Sequence, residues 1–187
     1  MLENTNILLG VAGGVAAYKS VDLASKLTAA GACVQTVMTE SACHFVTPKN
    51  FEAVTAAAVF TSLWNSAEAH RSAHISLADW ADMVVVAPAT ANSIGKAAHG
   101  LCDDLLSTTL CTSWATPTLL APAMNTRMWE NPAVQRNVET LKQRGVRIIG
   151  PVAGRLACGT QGIGRMAEPA DIVKAIEGLV ANPGQEL

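Results

Sequence analysis

The stretch MVVVAPATANS, Met83 to Ser93, decides the fold. It opens with an unbroken apolar run, MVVVAP (83–88), rich in β-branched residues, too short for a helix and closed by Pro88. Such a run reads as a strand buried on both faces. The next residues, ATANS (89–93), are small or carry hydroxyl and amide groups, as the start of a helix does. A doubly buried strand running into a capped helix is the building unit of a parallel α/β sheet.

Working outward, the same unit recurs. NILLGVA (6–12) is a short apolar strand ending at Gly13-Gly14, and Val15 to Ala30 has helical spacing with Gly31 as its stop. CVQTVMT (33–39) alternates like a second strand, and residues 41–57 read as helical with a break at Pro48. TLLAPA (118–123) and VRIIGP (146–151) repeat the design of the central strand. Helices are expected over 91–98, 103–113, 132–144 and 170–180. With right-handed crossovers this predicts an α/β fold, a single-domain Rossmann-like (flavodoxin-like) three-layer α/β/α sandwich with a parallel sheet. Ligands of such folds bind outside the carboxyl ends of the strands. Four places answer to that rule: Gly13-Gly14, Thr39–Ser41, Pro88–Ser93 and Pro122–Asn125. The segment GRLACGTQGIGRM (154–166) follows the last strand and can reach the same edge.

The bulk composition narrows the function classes. A chain of 187 residues is expected to form one domain over 1–187, with its core between about 5 and 180. Half of the residues are apolar, only 15% are charged, and the formal net charge is −2, so no basic excess speaks for nucleic acid or an anionic membrane. Five cysteines without any C-x-x-C spacing oppose a disulfide framework or zinc knuckle and suit reduced thiols in the cytoplasm. ILLGVAGGVAAY resembles a signal-peptide core, but Glu3 precedes it where a positive region is required. No apolar run reaches the roughly 20 residues of a membrane span.

Each candidate motif has a plainer structural use. GGVAAYKS (13–20) places Lys19-Ser20 as a P-loop does, yet Tyr18 stands where that pattern needs glycine. What remains is a glycine turn opening a helix, which serves equally as a tight turn or as a set of N–H groups for one phosphate. Thr39, Ser41, Thr90, Asn92 and Ser93 are natural helix caps and equally donors to a phosphate or a polar ring. His70 and His74 stand four apart without a third ligand, so no metal site is expected. His74 is as well suited to a structural role as to a catalytic one. In APAMNTRMW (121–129), Asn125 can cap the next turn or donate to a carboxylate. Cys158, among four glycines and two arginines, is either incidental to a turn or a thiol delivered to a site.

Together APATANS (87–93), APAMNTRMW (121–129) and RLACGTQGIGRMAEP (155–169) resemble the homo-oligomeric flavin-containing cysteine decarboxylases over about residues 5–180. They match that family's P-A-S-A-N-T, with Thr90 and Ser93 in place of its Ser and Thr, its P-x-M-N-x-x-M-W, and its cysteine-bearing glycine loop. The loop cysteine resembles the branch that decarboxylates 4'-phosphopantothenoyl-cysteine to 4'-phosphopantetheine in coenzyme A biosynthesis. Peptide decarboxylases of lantibiotic synthesis do not use this cysteine, and flavin prenyltransferases lack both the Asn and the Cys signatures. The resemblance implies FMN as cofactor, contacted by Gly13, Gly14, Val15, Thr39, Ser41, Thr90, Ala91, Asn92, Ser93 and Ala123. It implies His74 as base, Asn125 on the substrate carboxylate, Met128 and Ala157 lining the substrate, and Cys158 as proton donor. The implied chemistry oxidises the sulfur-bearing carbon to a thioaldehyde, releases carbon dioxide into an enethiolate, and then reduces it. A homotrimer or dodecamer with the site at a subunit interface is implied as well, and in many bacteria this domain is fused to a ligase. The alternatives are a peptide C-terminal cysteine decarboxylase that stops at the enethiol, a non-catalytic flavin-binding regulatory subunit, and a simple electron-transfer flavoprotein.

Overall fold

In the computed structural model, residues 2–64, 72–157 and 159–181 are described. In chain order the elements are β1 (Asn6–Val11), α1 (Ala17–Ala29), β2 (Cys33–Met38), α2 (Glu40–Cys43), α3 (Pro48–Thr55), β3 (Val59–Phe60), α4 (Ala73–Trp80), β4 (Met83–Ala89), α5 (Ala91–His99), α6 (Leu105–Thr112), β5 (Thr118–Pro122), α7 (Thr126–Trp129), α8 (Pro132–Gln143), β6 (Arg147–Ile148), β7 (Val152–Arg155), β8 (Gln161–Arg165) and α9 (Pro169–Ala181). Strands β3-β2-β1-β4-β5-β6 form one parallel sheet, and β7-β8 form a separate antiparallel pair. Of the two common doubly wound orders this is the Rossmann one, with its switch point between β1 and β4.

The sheet holds because alternate residues of each strand feed two separate cores. Ile7, Leu9 and Val11, with Val85, Ala87, Leu119 and Ala121, face α1, α3 and α9, where they meet Leu23, Phe51 and Ile172. Leu8, Val84, Val86 and Leu120 face α4, α5, α6 and α8, where they meet Leu77, Ile94, Leu106 and Leu141. All seven residues of β4 are buried, as expected for a central strand covered on both sides. One polar tie crosses this packing: the Ser20 hydroxyl of α1 donates to the Ala87 carbonyl of β4 at 2.6 Å.

Differences from the sequence reading are confined to edges and short pieces. β6 is two residues long rather than six; Gly150 turns the chain at φ +79° and Pro151 has no N–H to extend the ladder. The two-residue β3 and the eight-residue α4 carry too little periodicity to be read in advance. The glycine-rich segment after β6, read as a loop, carries the paired strands β7 and β8. Its glycines serve close packing there: a Cβ on Gly164 would stand 2.1 Å from the Met124 carbonyl oxygen, and one on Gly162 would stand 2.3 Å from Thr126 Oγ1. Met124 N–H donates to the Gly164 carbonyl at 3.0 Å, so the hairpin is bound directly to the segment after β5.

Candidate active site

All four strand ends named from the sequence open onto one cavity of about 940 Å³. Its lining includes Gly13, Gly14 and Val15 after β1, Thr39 and Ser41 after β2, Thr90, Asn92 and Ser93 after β4, and Ala123, Asn125 and Met128 after β5. The hairpin contributes Arg155, Leu156 and Ala157 from one side and Gly164, Arg165 and Met166 from the other. Ala91 and His74 are not among the lining residues. His74 is half-buried on α4, and its carbonyl accepts from Thr112 Oγ1, at the end of α6, at 3.4 Å. His70 and Cys158 lie outside the described residues.

The hydroxyl and amide residues cap and line at once. Thr39 accepts from Ala42 N–H at 3.2 Å, and Thr90 accepts from Ser93 N–H at 3.2 Å, each closing the first turn of the following helix. Asn125 accepts from Arg127 N–H at 2.9 Å, which turns the carboxamide oxygen to α7 and sets the orientation of the group. By contrast α1 begins at Ala16 without any side-chain cap and without an acidic residue in its first turn. Its positive end therefore opens beside the Gly13-Gly14 turn. That turn is crowded: a Cβ on Gly13 would stand 2.3 Å from Ser41 Cβ and 2.7 Å from the Ser41 carbonyl carbon. Only glycine lets β1 and α2 meet there and leave the backbone bare.

Charged groups whose convergence the sequence does not reveal stand on two walls. Lys96 Nζ lies 2.6 Å from Asp103 Oδ1 and 2.6 Å from Asp104 Oδ2, tying α5 to the start of α6. Burial works to lower the Lys96 pKa, but the two carboxylates outweigh it and leave it raised, while the Lys96 hydrogen bond holds Asp103 below its ordinary value. Lys19 and Arg165 face the cavity from α1 and β8. The sequence marked Lys19 only within a P-loop pattern that fails at Tyr18, and it offered no signal for Lys96 with Asp103 and Asp104, because isolated charged residues read as solvated surface. Among the described residues, no three His, Cys, Asp or Glu side chains gather as metal ligands, and no helix is long and apolar enough to cross a membrane.

A volume near the upper end of small-molecule sites, an uncapped helix end, a bare glycine turn and a ring of hydroxyls suit a large phosphorylated ligand such as FMN. The family described as Flavoprotein matches residues 1–181. The chain belongs to the flavoprotein family. Its relatives include the coenzyme A biosynthesis bifunctional protein CoaBC of Bacillus subtilis, 51% identical over 95% of this chain and 43% of that protein. The CoaBC of Escherichia coli K12 is 44% identical over 92% of this chain and 42% of its own length. The chain thus spans less than half the length of these curated relatives. Among solved structures of flavoprotein relatives, a cysteine-to-serine mutant of PPC decarboxylase, complexed with pantothenoylaminoethenethiol, has a TM-score of 0.86 at 36% identity, covering 96% of this chain and 100% of that one. The FMN binding protein AtHal3 has a TM-score of 0.81 at 35% identity, covering 99% of this chain and 100% of that one.

Proposed function

We propose that the chain is an FMN-dependent decarboxylase that converts 4'-phosphopantothenoyl-cysteine to 4'-phosphopantetheine. The observation that carries the reading is that one cavity gathers the strand ends bearing Gly13-Gly14, Thr90–Ser93 and Asn125–Met128 together with the hairpin flanking Cys158. The likeness to PPC decarboxylase along the whole fold supports it. When bound, FMN supplies the two-electron oxidation that gives the departing carboxylate's electrons a place to go. Gly13, Gly14, Val15, Thr39, Ser41, Thr90, Asn92, Ser93 and Ala123 would hold it, with Ala91, outside the lining, supporting the turn between Thr90 and Asn92. Asn125 donates from its amide nitrogen to the substrate carboxylate, and Met128 and Ala157 enclose the substrate. Cys158, next in the chain to the lining residue Ala157, protonates the enethiolate. His74 acts as the base. Because His74 does not line the cavity of its own chain, it would act from a second copy, in keeping with a trimer or dodecamer. The half-exposed apolar side chains of Val15, Tyr18 and Met128 on the cavity lining support such a cover.

The test is the absorption spectrum of the purified protein before and after anaerobic addition of 4'-phosphopantothenoyl-cysteine, with the product weighed by mass spectrometry. The expected result is a yellow protein and a product lighter by carbon dioxide alone. A further loss of two hydrogens would assign the chain to the peptide-type decarboxylases that stop at the enethiol. A coloured protein without turnover would assign it to the regulatory or electron-transfer flavoproteins. Cys158→Ser is expected to release carbon dioxide and stop at that oxidised enethiol; ordinary product from this variant would remove Cys158 from the mechanism.

A further inference from the structure

We infer that Lys19 and Arg165 form a subsite for a phosphate monoester, and that it takes the terminal phosphate of the substrate; this rests on the decarboxylase reading above. Both side chains line the cavity, one from the first turn of α1 and the other from the end of β8. Both are held by a single oxygen: Lys19 Nζ and Arg165 Nη2 each stand 2.7 Å from Glu168 Oε1. Glu168 is not itself a lining residue. Its carboxyl is held below the usual range, first by the hydrogen bond from Lys19, then by the charges of Lys19 and Arg165. Two cations on one carboxylate leave a positive charge unbalanced toward the cavity. The Lys19 side chain is only 14% exposed, so water screens that charge poorly.

The excess is local to this pair, because the negative charges of the lining stand on other elements. Asp103 and Asp104 together outnumber Lys96 by one charge on the α5–α6 wall, while Glu40, exposed at the start of α2, is offset by Arg155 on β7. The hairpin also makes room for the arrangement. A Cβ on Gly154 would stand 2.6 Å from Arg165 Nη1 and 2.7 Å from its Cδ, so any side chain there would push the guanidinium off Glu168. An ammonium beside a guanidinium fork suits a dianionic phosphate better than a carboxylate or a neutral group. FMN carries a phosphate too, but the Gly13-Gly14 turn and the Thr90 and Ser41 hydroxyls already offer it a site. Arg165 belongs instead to the hairpin that flanks Cys158, on the substrate side of the reaction.

The experiment titrates 4'-phosphopantetheine and pantetheine separately into FMN-loaded protein by calorimetry, for wild type, Lys19→Gln, Arg165→Gln and Lys19→Arg. Wild type is expected to bind the phosphorylated compound about tenfold or more tightly, with both Gln variants falling to within about threefold and Lys19→Arg keeping the preference. The preference for FMN over riboflavin is expected to be the same in all four proteins. No preference in wild type, or an undiminished one in both Gln variants, would overturn the inference. So would a loss that falls on the FMN-to-riboflavin ratio, which would hand the cations to the cofactor's phosphate. Turnover is a separate measurement, so this failure is distinguishable from failure of the decarboxylase reading.

Discussion

The carboxamide of Asn125 caps α7 through its oxygen, which accepts from Arg127 N–H at 2.9 Å. Aspartate makes the same cap, so Asn125→Asp keeps the start of α7 and replaces a neutral carboxamide by a carboxylate where the proposed substrate carboxylate would sit. The melting temperature and the yellow colour are expected to persist while turnover falls about a hundredfold or more, the scale for losing a donor to a reacting anion. Unchanged turnover, measured as carbon dioxide release, would free Asn125 from the carboxylate. Gly13 offers the opposite case, in which packing rather than charge decides. A Cβ there meets Ser41 Cβ at 2.3 Å and backbone at 2.7 Å, so Gly13→Ala must move the turn. It is expected to cost about 1–3 kcal/mol and to lower FMN content, read as the ratio of visible to ultraviolet absorbance. Both residues were legible in the sequence because a strand end at the ligand edge is marked by its small and polar residues. The meeting of Lys19 with Arg165 on Glu168, and of Lys96 with Asp103 and Asp104, was not, because only the folded chain shows which charges converge.

At the level of elements, the strands that could be read were those buried twice. β1, β4 and β5 feed both cores, so almost every residue in them is apolar and no alternation is needed to recognise them. The hairpin β7-β8 escaped because its residues are largely exposed and its glycines serve close approach to Met124, Thr126 and Arg165, which leaves no periodic signal. The wall between α5 and α6 escaped for another reason: it is built by charge. Asp104 accepts from Ser107 N–H at 2.8 Å as the α6 cap while its other oxygen holds Lys96. Asp104→Ala removes both contacts and is expected to destabilise the fold by about 1–2 kcal/mol in urea unfolding. Asp104→Asn keeps the cap and loses the charge, so most of that stability should return, since Asp103 still holds Lys96 at 2.6 Å. Equal losses in the two variants would mean that the ion pair, not the cap, holds the wall.

The whole molecule raises a question that a single chain does not answer by itself, namely how His74, the proposed base, would reach the site. The cavity takes its lining from four strand ends and the hairpin, yet His74 stands outside it, beside Thr112. If each site draws Asn125 from one chain and His74 from the next around a trimer, two dead variants should rescue each other. Chains carrying His74→Asn keep Asn125, and chains carrying Asn125→Asp keep His74. In a mixed trimer one of the three junctions pairs an intact Asn125 with an intact His74. Since about three in four randomly mixed trimers hold both chains, equal mixing should restore about a quarter of the wild-type rate. Each variant alone should be inactive, and mixing must include dissociation so that subunits exchange. The measurement is turnover after co-refolding, with native mass spectrometry reporting the mixed assemblies. Mixed trimers that stay inactive would place the base within the same chain as Asn125, and would require α4 to move toward the cavity when substrate binds.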